Sequence, residues 1–152
     1  MKYNNKVAII TGGARDIGKA ISIRLASEGV KVVINYLNND EQAKETMQTI
    51  QDAGGSCILV KGDATKNEDV LRIVEETKKH FGGEINMLVN VTGGLVARKL
   101  LEDMDADFWD YVMALNTRSA FLLTKHVAPL MPHGSAIVNF SSQAGRDGGG
   151  FG

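Results

Sequence analysis

The sequence has almost no cysteine. Cys57 is the only one in 152 residues, so no disulfide can form within the chain, and a reducing cytoplasm is the expected compartment. Its setting, Ser56-Cys57-Ile58-Leu59-Val60, reads as a buried strand, so Cys57 is expected to pack rather than react. Long apolar runs are also absent. None approaches the ~20 residues of a membrane span, and the opening MKYNNKVAII is too short an apolar run for a signal-peptide core. Basic runs stop at the pair Lys78-Lys79 and the formal charge is −1, which argues against a nucleic-acid surface or a polybasic membrane patch. His80, His126 and His133 are scattered without metal-ligand spacing, and neither H-E-x-x-H nor G-x-S-x-G occurs. No metal site is expected, and the three histidines are read as surface or capping residues.

What is present is the composition of a soluble globular domain. Apolar residues make up 43% and charged residues 23%, which argues against disorder and allows one domain with a sizeable core. Five short β-branched-rich runs recur, Val7–Thr11, Val30–Tyr36, Cys57–Lys61, Ile85–Val91 and Ala136–Phe140. They are near-continuous rather than alternating, which marks strands covered on both faces.

Helical segments lie between these runs. Ile17, Ile21 and Leu25 share a face, with Gly29 as the expected C-terminal stop. Ala43, Met47 and Ile50 form the next stripe, ahead of Gly54. Thr65-Lys66-Asn67-Glu68 reads as a capping box for a helix with Val70, Val74, Thr77 and Phe81 inside. A fourth helix is expected from about Asp105 to Val127, ending before Pro129 and Pro132, with Phe108 and Trp109 packing inward. The order βαβαβαβαβ predicts a doubly wound parallel α/β sheet, strand order 3-2-1-4-5. Ligands of such sheets bind at the carboxyl ends of the strands, so the loops there carry the functional reading.

Strand 1 runs into Gly12-Gly13-Ala14-Arg15-Asp16-Ile17-Gly18 and then a helix. Small residues in that setting let backbone N–H groups and a helix N-terminus approach a phosphate. Strand 2 ends Ile34-Asn35-Tyr36-Leu37-Asn38, with no acid until Asp40. An NAD site commonly has an acid there for the ribose. Its absence, with Arg15 in the phosphate loop as a partner for a 2′-phosphate, tilts the reading to NADP and leaves NAD open. Arg15 could equally be a solvated loop residue. Asp63, after strand 3, fits either an adenine contact or an Asx turn ahead of Thr65.

Together the motifs Thr11-Gly12-x-x-x-Asp16-Ile17-Gly18, Asn90-Val91-Thr92-Gly93, Leu115-Asn116-Thr117 and Ser141-Ser142 resemble the short-chain dehydrogenase/reductase family. The resemblance runs from Lys6 to Gly152. It departs from the family where Asp16 replaces the middle glycine of the first loop; an aspartate there can cap the helix but adds negative charge near a diphosphate. Val91 and Thr92 depart in the same way, replacing the middle pair of N-N-A-G.

The resemblance implies a Rossmann-like dinucleotide-binding domain over residues 1–152 and an NAD(P)H-dependent carbonyl/alcohol oxidoreductase. By resemblance Ser142 and Asn116 are catalytic, Ser142 holding the substrate carbonyl and Asn116 forming a helix kink and proton relay. Gly12, Arg15, Asp16, Ile17, Gly18, Tyr36, Asp63, Asn90 and Gly93 are the expected cofactor contacts. The segment Leu88–Leu100 and the ending SSQAGRDGGG look most similar to 3-oxoacyl-carrier-protein reductases, so an acyl thioester is the implied substrate and a homo-oligomer, dimer or tetramer, the implied assembly.

In the family a tyrosine follows the serine by about a dozen residues and a lysine four later. Here they would fall beyond Gly152, and Tyr3, Tyr36 and Tyr111 are read as misplaced to substitute. The chain is therefore expected to be inactive alone, truncated after strand 5, with the strand-5 flank and part of the long helix uncovered. The glycine-rich ending is read as the loop leading toward the family's tyrosine. A non-catalytic nucleotide-binding or interaction module is the alternative; a flavodoxin-like domain is disfavoured because Gly12–Gly18 is not rich in Ser/Thr.

Overall fold

Successive residues of a strand point to opposite faces of its sheet, and here both faces of the central strands are covered. In the computed structural model, which describes residues 2–149, β1 (Val7–Thr11) is buried at every position. Ala8 and Ile10 join one core with Val32, Ile34, Ala43, Ile50 and Cys57. Ile9 joins the other with Val33, Ile73, Leu88, Leu123 and Val127. This double coverage is why the strand sequences lack a polar beat.

The strands β1, β2 (Lys31–Tyr36), β3 (Ser56–Lys61), β4 (Met87–Asn90) and β5 (Ala136–Asn139) form one sheet in the order β3-β2-β1-β4-β5. All four pairings are parallel. Helices α1 (Asp16–Ser27) and α2 (Asp40–Asp52) pack over one face, and α3 (Asn67–Phe81) and α5 (Ser119–Val127) over the other. The predicted doubly wound, Rossmann-like sheet is the observed one. Each wholly buried Ile or Leu in it contributes on the order of 1.5–3 kcal/mol of transfer free energy.

Four local expectations are corrected. First, the inner face of α1 is Gly18, Ser22 and Ala26, while Ile17 is 55% exposed. Small residues win because α1 lies against the loop after β1: a Cβ at Gly18 would stand 2.1 Å from Gly12 O. Ile21 and Leu25 pack at the margin.

Second, Thr65 does not cap α3. Its hydroxyl and amide both donate to Asp63 Oδ1, at 2.7 and 2.9 Å, and the helix begins two residues later at Asn67 behind Lys66. The Asx-turn reading of Asp63 is the observed local geometry.

Third, the long fourth helix is continuous but irregular. Asp105 caps α4 (Ala106–Met113) through Phe108 N–H, a π turn follows over Ala114–Arg118, and α5 completes it. Trp109 on this helix is 57% exposed rather than packed. Fourth, the segment after Ser142 forms one short helical turn, α6 (Ala144–Asp147), ended by Gly148 with φ +79°. The rest of the glycine-rich ending, 150–152, lies outside the described residues.

β5 is exposed along its whole length, unlike β1, β2 and β4. Ile137, Val138 and Phe140 are open on this flank, and Tyr111, Met113 and Phe121 on the long helix, as expected for an uncovered strand-5 side.

Candidate functional site

The carboxyl ends of β1, β2, β3 and β4 surround a cavity of about 640 Å³, within the range of small-molecule sites. Its floor is the loop between β1 and α1. Hydrogen bonds from three directions hold that loop: Gly13 N–H donates to Asn35 O, Ser22 Oγ to Gly13 O and Thr46 Oγ1 to Ala14 O. Gly12 takes φ +62°, a left-handed conformation that glycine adopts without a Cβ clash. Gly12 and Gly18 thus touch backbone to backbone, and the N-terminus of α1 opens onto the cavity.

Asp16 takes φ +46°, so the loop imposes left-handed backbone where the family pattern has glycine. Its side chain makes no capping bond; Arg15 is the N-cap residue, also without one. Instead Arg15 Nε lies 3.7 Å from Asp16 Oδ2, both side chains being largely exposed. The expected helix cap is not made, and an ion pair with Arg15 stands in its place.

The rim beyond is formed by Tyr36, Leu37, Asn38, Asn39 and Gln42. Asn35 is buried and donates to Val60 O and Gly62 O, which locks the ends of β2 and β3 together. Asp40, the first acid after β2, accepts from Lys61 Nζ at 3.0 and 3.1 Å. The Lys61 bond, then one from Tyr36, holds the Asp40 carboxyl below its ordinary pKa. Burial, then the bond to Asp40, raises that of the Tyr36 phenol.

On the β4 side, Thr11 Oγ1 accepts from Val91 N–H and Thr92 N–H, both at 3.0 Å. Val91, Thr92 and Gly93 line the cavity. Asn116, in the π turn, accepts from Gly94 N–H and donates to Gly94 O and Val112 O. A Cβ on Gly93 would lie 2.8 Å from Asn116 Oδ1.

Of the residues singled out from sequence, Gly12, Arg15, Asp16, Ile17, Gly18, Tyr36, Asp63 and Gly93 line this one cavity. Asn116 stands behind its β4 wall. Asn90 does not reach it: the side chain is 5% exposed and donates to Asn139 Oδ1 at 2.8 Å. Register explains this, since Asn90 pairs with Asn139 across β4 and β5. Asn90 Oδ1 is buried without a hydrogen-bond partner among the described residues.

Ser142 follows β5 at the same end of the sheet but is not part of the cavity wall. Its Oγ accepts from Ala144 N–H at 3.1 Å, which leaves its O–H proton to donate. Tyr111, read as misplaced for catalysis, and Leu115, named only as a neighbour of Asn116, also line the cavity. Tyr111 lies one turn before Leu115, which directly precedes Asn116, and that i, i+4 spacing was the available signal.

Among the described residues no cluster of His, Cys, Asp or Glu could hold a metal ion, and no helix is long and apolar enough to cross a membrane. His80 bonds Glu76 O and His126 bonds Asn67 Oδ1, both on the surface.

A five-stranded, doubly wound parallel sheet with a glycine-floored cavity at its carboxyl edge defines a Rossmann-like α/β protein. The family model for short chain dehydrogenases matches residues 6–152, and the chain belongs to that family of oxidoreductases. A hydroxynaphthalene reductase-like protein, Arp2, of Metarhizium acridum is 37% identical over 144 residues, covering 95% of this chain and 53% of that protein. General stress protein 39 of Bacillus subtilis is 36% identical over 141 residues, covering 93% and 49%. The chain therefore spans about half the length of the curated relatives it matches.

Among solved structures, a short-chain dehydrogenase/reductase from Serratia marcescens superposes with TM-score 0.89 at 32% identity, covering 93% of this chain and 57% of that one. An NADH-dependent reductase of alginate metabolism, A1-R′, complexed with NAD, gives 0.91 at 34%, covering 99% and 64%.

Proposed function

We propose that residues 1–152 are the dinucleotide-binding domain of a nicotinamide-dependent oxidoreductase that reduces a carbonyl, with a 3-oxoacyl thioester as the substrate class. The observation that carries this is the contact of Gly18 with Gly12 O at the mouth of α1. The loop closes so tightly on α1 that a Cβ at Gly18 would collide with the Gly12 backbone, and this close approach sets backbone N–H groups and a helix N-terminus at the cavity edge, a setting that suits a diphosphate. NAD(P)H, when bound, supplies a hydride.

The chain's residues divide the remaining work. The loop Gly12–Gly18 holds the diphosphate, with Asp63, Tyr36 and Gly93 on the adenosine and ribose sides. Ser142 donates its O–H to the substrate carbonyl oxygen and orients it. Asn116 shapes the β4 wall through Gly94, and Asn90 ties β5, and so the Ser142 loop, to β4. Preference for NADP(H) over NAD(H) is supported by Arg15 on the wall and by the engagement of Asp40 with Lys61 and Tyr36. That engagement takes up the carboxylate nearest the end of β2, although A1-R′ is NADH-dependent by its description.

The complete enzyme works in the cytoplasm as a dimer or tetramer. Titration of the intact protein with NADPH and with NADH, read by nicotinamide fluorescence, tests the reading. Saturable binding of both, tighter for NADPH, supports it; binding of neither overturns it. Oxidation of NADPH on adding a 3-oxoacyl thioester to the intact enzyme tests the substrate.

A further inference from the structure

The charges of the cavity wall run against its proposed ligand. Its charged lining residues are one cation, Arg15, and two carboxylates, Asp16 and Asp63. Asp63 is committed to its turn, accepting from Thr65 N–H and Oγ1. Lys61, the last residue of β3, is held by Asp40. Asp16 has no such internal duty: it makes no capping bond, sits in left-handed backbone, and among the described residues its carboxylate pairs with Arg15 alone. That conformation is costly for an L-residue, though less so for Asp or Asn than for others.

From this we propose that Asp16 is a specificity-determining residue: it occupies Arg15 and blunts discrimination between the 2′-phosphorylated dinucleotide and the unphosphorylated one. The inference rests on the dinucleotide reading of the cavity. Arg15 can engage a 2′-phosphate only by giving up Asp16 or sharing its guanidinium with it, while the carboxylate repels the added phosphate charge directly. A ligand without the 2′-phosphate escapes both effects and meets only the carboxylate's repulsion of the diphosphate that the two ligands share. The pair is exposed and solvent-screened, so the effect is modest and fades with salt.

The test is a set of dissociation constants for NADPH and NADH at low ionic strength, on the intact wild-type protein and on Asp16→Asn, Arg15→Gln and the double variant. Asparagine keeps the tolerance for left-handed backbone and removes the charge, so it isolates electrostatics from strain. Asp16→Gly provides a second charge-free side chain if Asp16→Asn melts early. The expected result is about fivefold tighter NADPH binding on charge removal, with less than twofold for NADH. In the Arg15→Gln background the same change should shift the NADPH-to-NADH ratio less, because only the direct repulsion of the 2′-phosphate remains to be relieved.

Equal tightening of both ligands with Arg15 present, or no tightening, overturns the proposal while leaving the dinucleotide site intact. Failure of the wild-type protein to bind either ligand overturns the site reading and this inference with it. A merely structural role for Asp16 would move the melting temperature and not the NADPH-to-NADH ratio.

Discussion

Asn116 and Gly94 exchange two hydrogen bonds across the gap between the long helix and the loop after β4. Gly94 N–H donates to Asn116 Oδ1 at 2.9 Å, and Asn116 Nδ2 donates back to Gly94 O at 3.0 Å. The same amide group reaches Val112 O at 2.9 Å. The π turn over Ala114–Arg118 is the local geometry in which this contact is made. Such one-turn bulges concentrate at functional sites because they turn a side chain out of the helical ladder.

Replacing Asn116 by Ala removes all three bonds. Net hydrogen-bond contributions of about 0.5–1.5 kcal/mol each, shared by a partly solvated group, predict a loss of roughly 1–3 kcal/mol. Thermal melting checks this, with an expected fall of several degrees. Limited proteolysis should show earlier cleavage between Gly93 and Leu101. Wild-type melting and unchanged cleavage would mean the clamp carries no weight.

Gly18→Ala is the sharpest test of the cradle. The new Cβ would stand 2.1 Å from Gly12 O and 2.8 Å from its carbonyl carbon, and both are backbone atoms fixed by the loop's hydrogen bonds. Either α1 or the loop must shift, at an overpacking cost of about 1–3 kcal/mol. Dinucleotide affinity should fall by more than tenfold. Gly83→Ala is the control, since nothing lies within 4 Å of that position; it should melt and bind as the wild type does.

The strands were legible because the apolar runs are short, rich in β-branched residues and near-continuous rather than alternating, as suits doubly covered parallel strands. The same logic placed the loops, since β1, β2, β3 and β4 deliver their carboxyl ends to one cavity. It failed for α1 because periodicity counts hydrophobicity and not closeness of approach: Gly18, Ser22 and Ala26 are inside by virtue of being small. It failed for Thr65 because Asp63 competes for the same hydroxyl two residues before the helix. The ion pair of Asp16 with Arg15 was beyond sequence reasoning, because it follows from a left-handed φ imposed by the loop.

Cys57 should be nearly inert in the folded protein. Burial pushes its thiol from 9.0 up to about 11, so at pH 8 the thiolate is roughly a hundredfold scarcer than in an ordinary cysteine. Because the folded thiol keeps its proton above the pH at which the unfolded one loses it, the native state loses stability as pH rises from about 9 to about 11. Reaction with an aromatic disulfide reagent should be slow in buffer and fast in denaturant. Rapid labelling without denaturant would contradict the buried position in β3.

Ser142→Ala separates binding from chemistry. The hydroxyl already accepts from Ala144 N–H, so its proton is the part free to act on a substrate carbonyl. Losing one oriented donor to a reacting oxygen costs about 10²–10³ in kcat. Because Ser142 stands beyond β5 and outside the cavity wall, dinucleotide affinity should hold within about twofold. Removal of the turn bond should cost about 1 kcal/mol or less, since α6 is exposed throughout. Measured on the intact enzyme, the expected pattern is a collapsed kcat with an unchanged dinucleotide dissociation constant. A variant that loses dinucleotide binding and activity in parallel would instead place Ser142 in the cofactor site. One that keeps full activity would remove it from the chemistry.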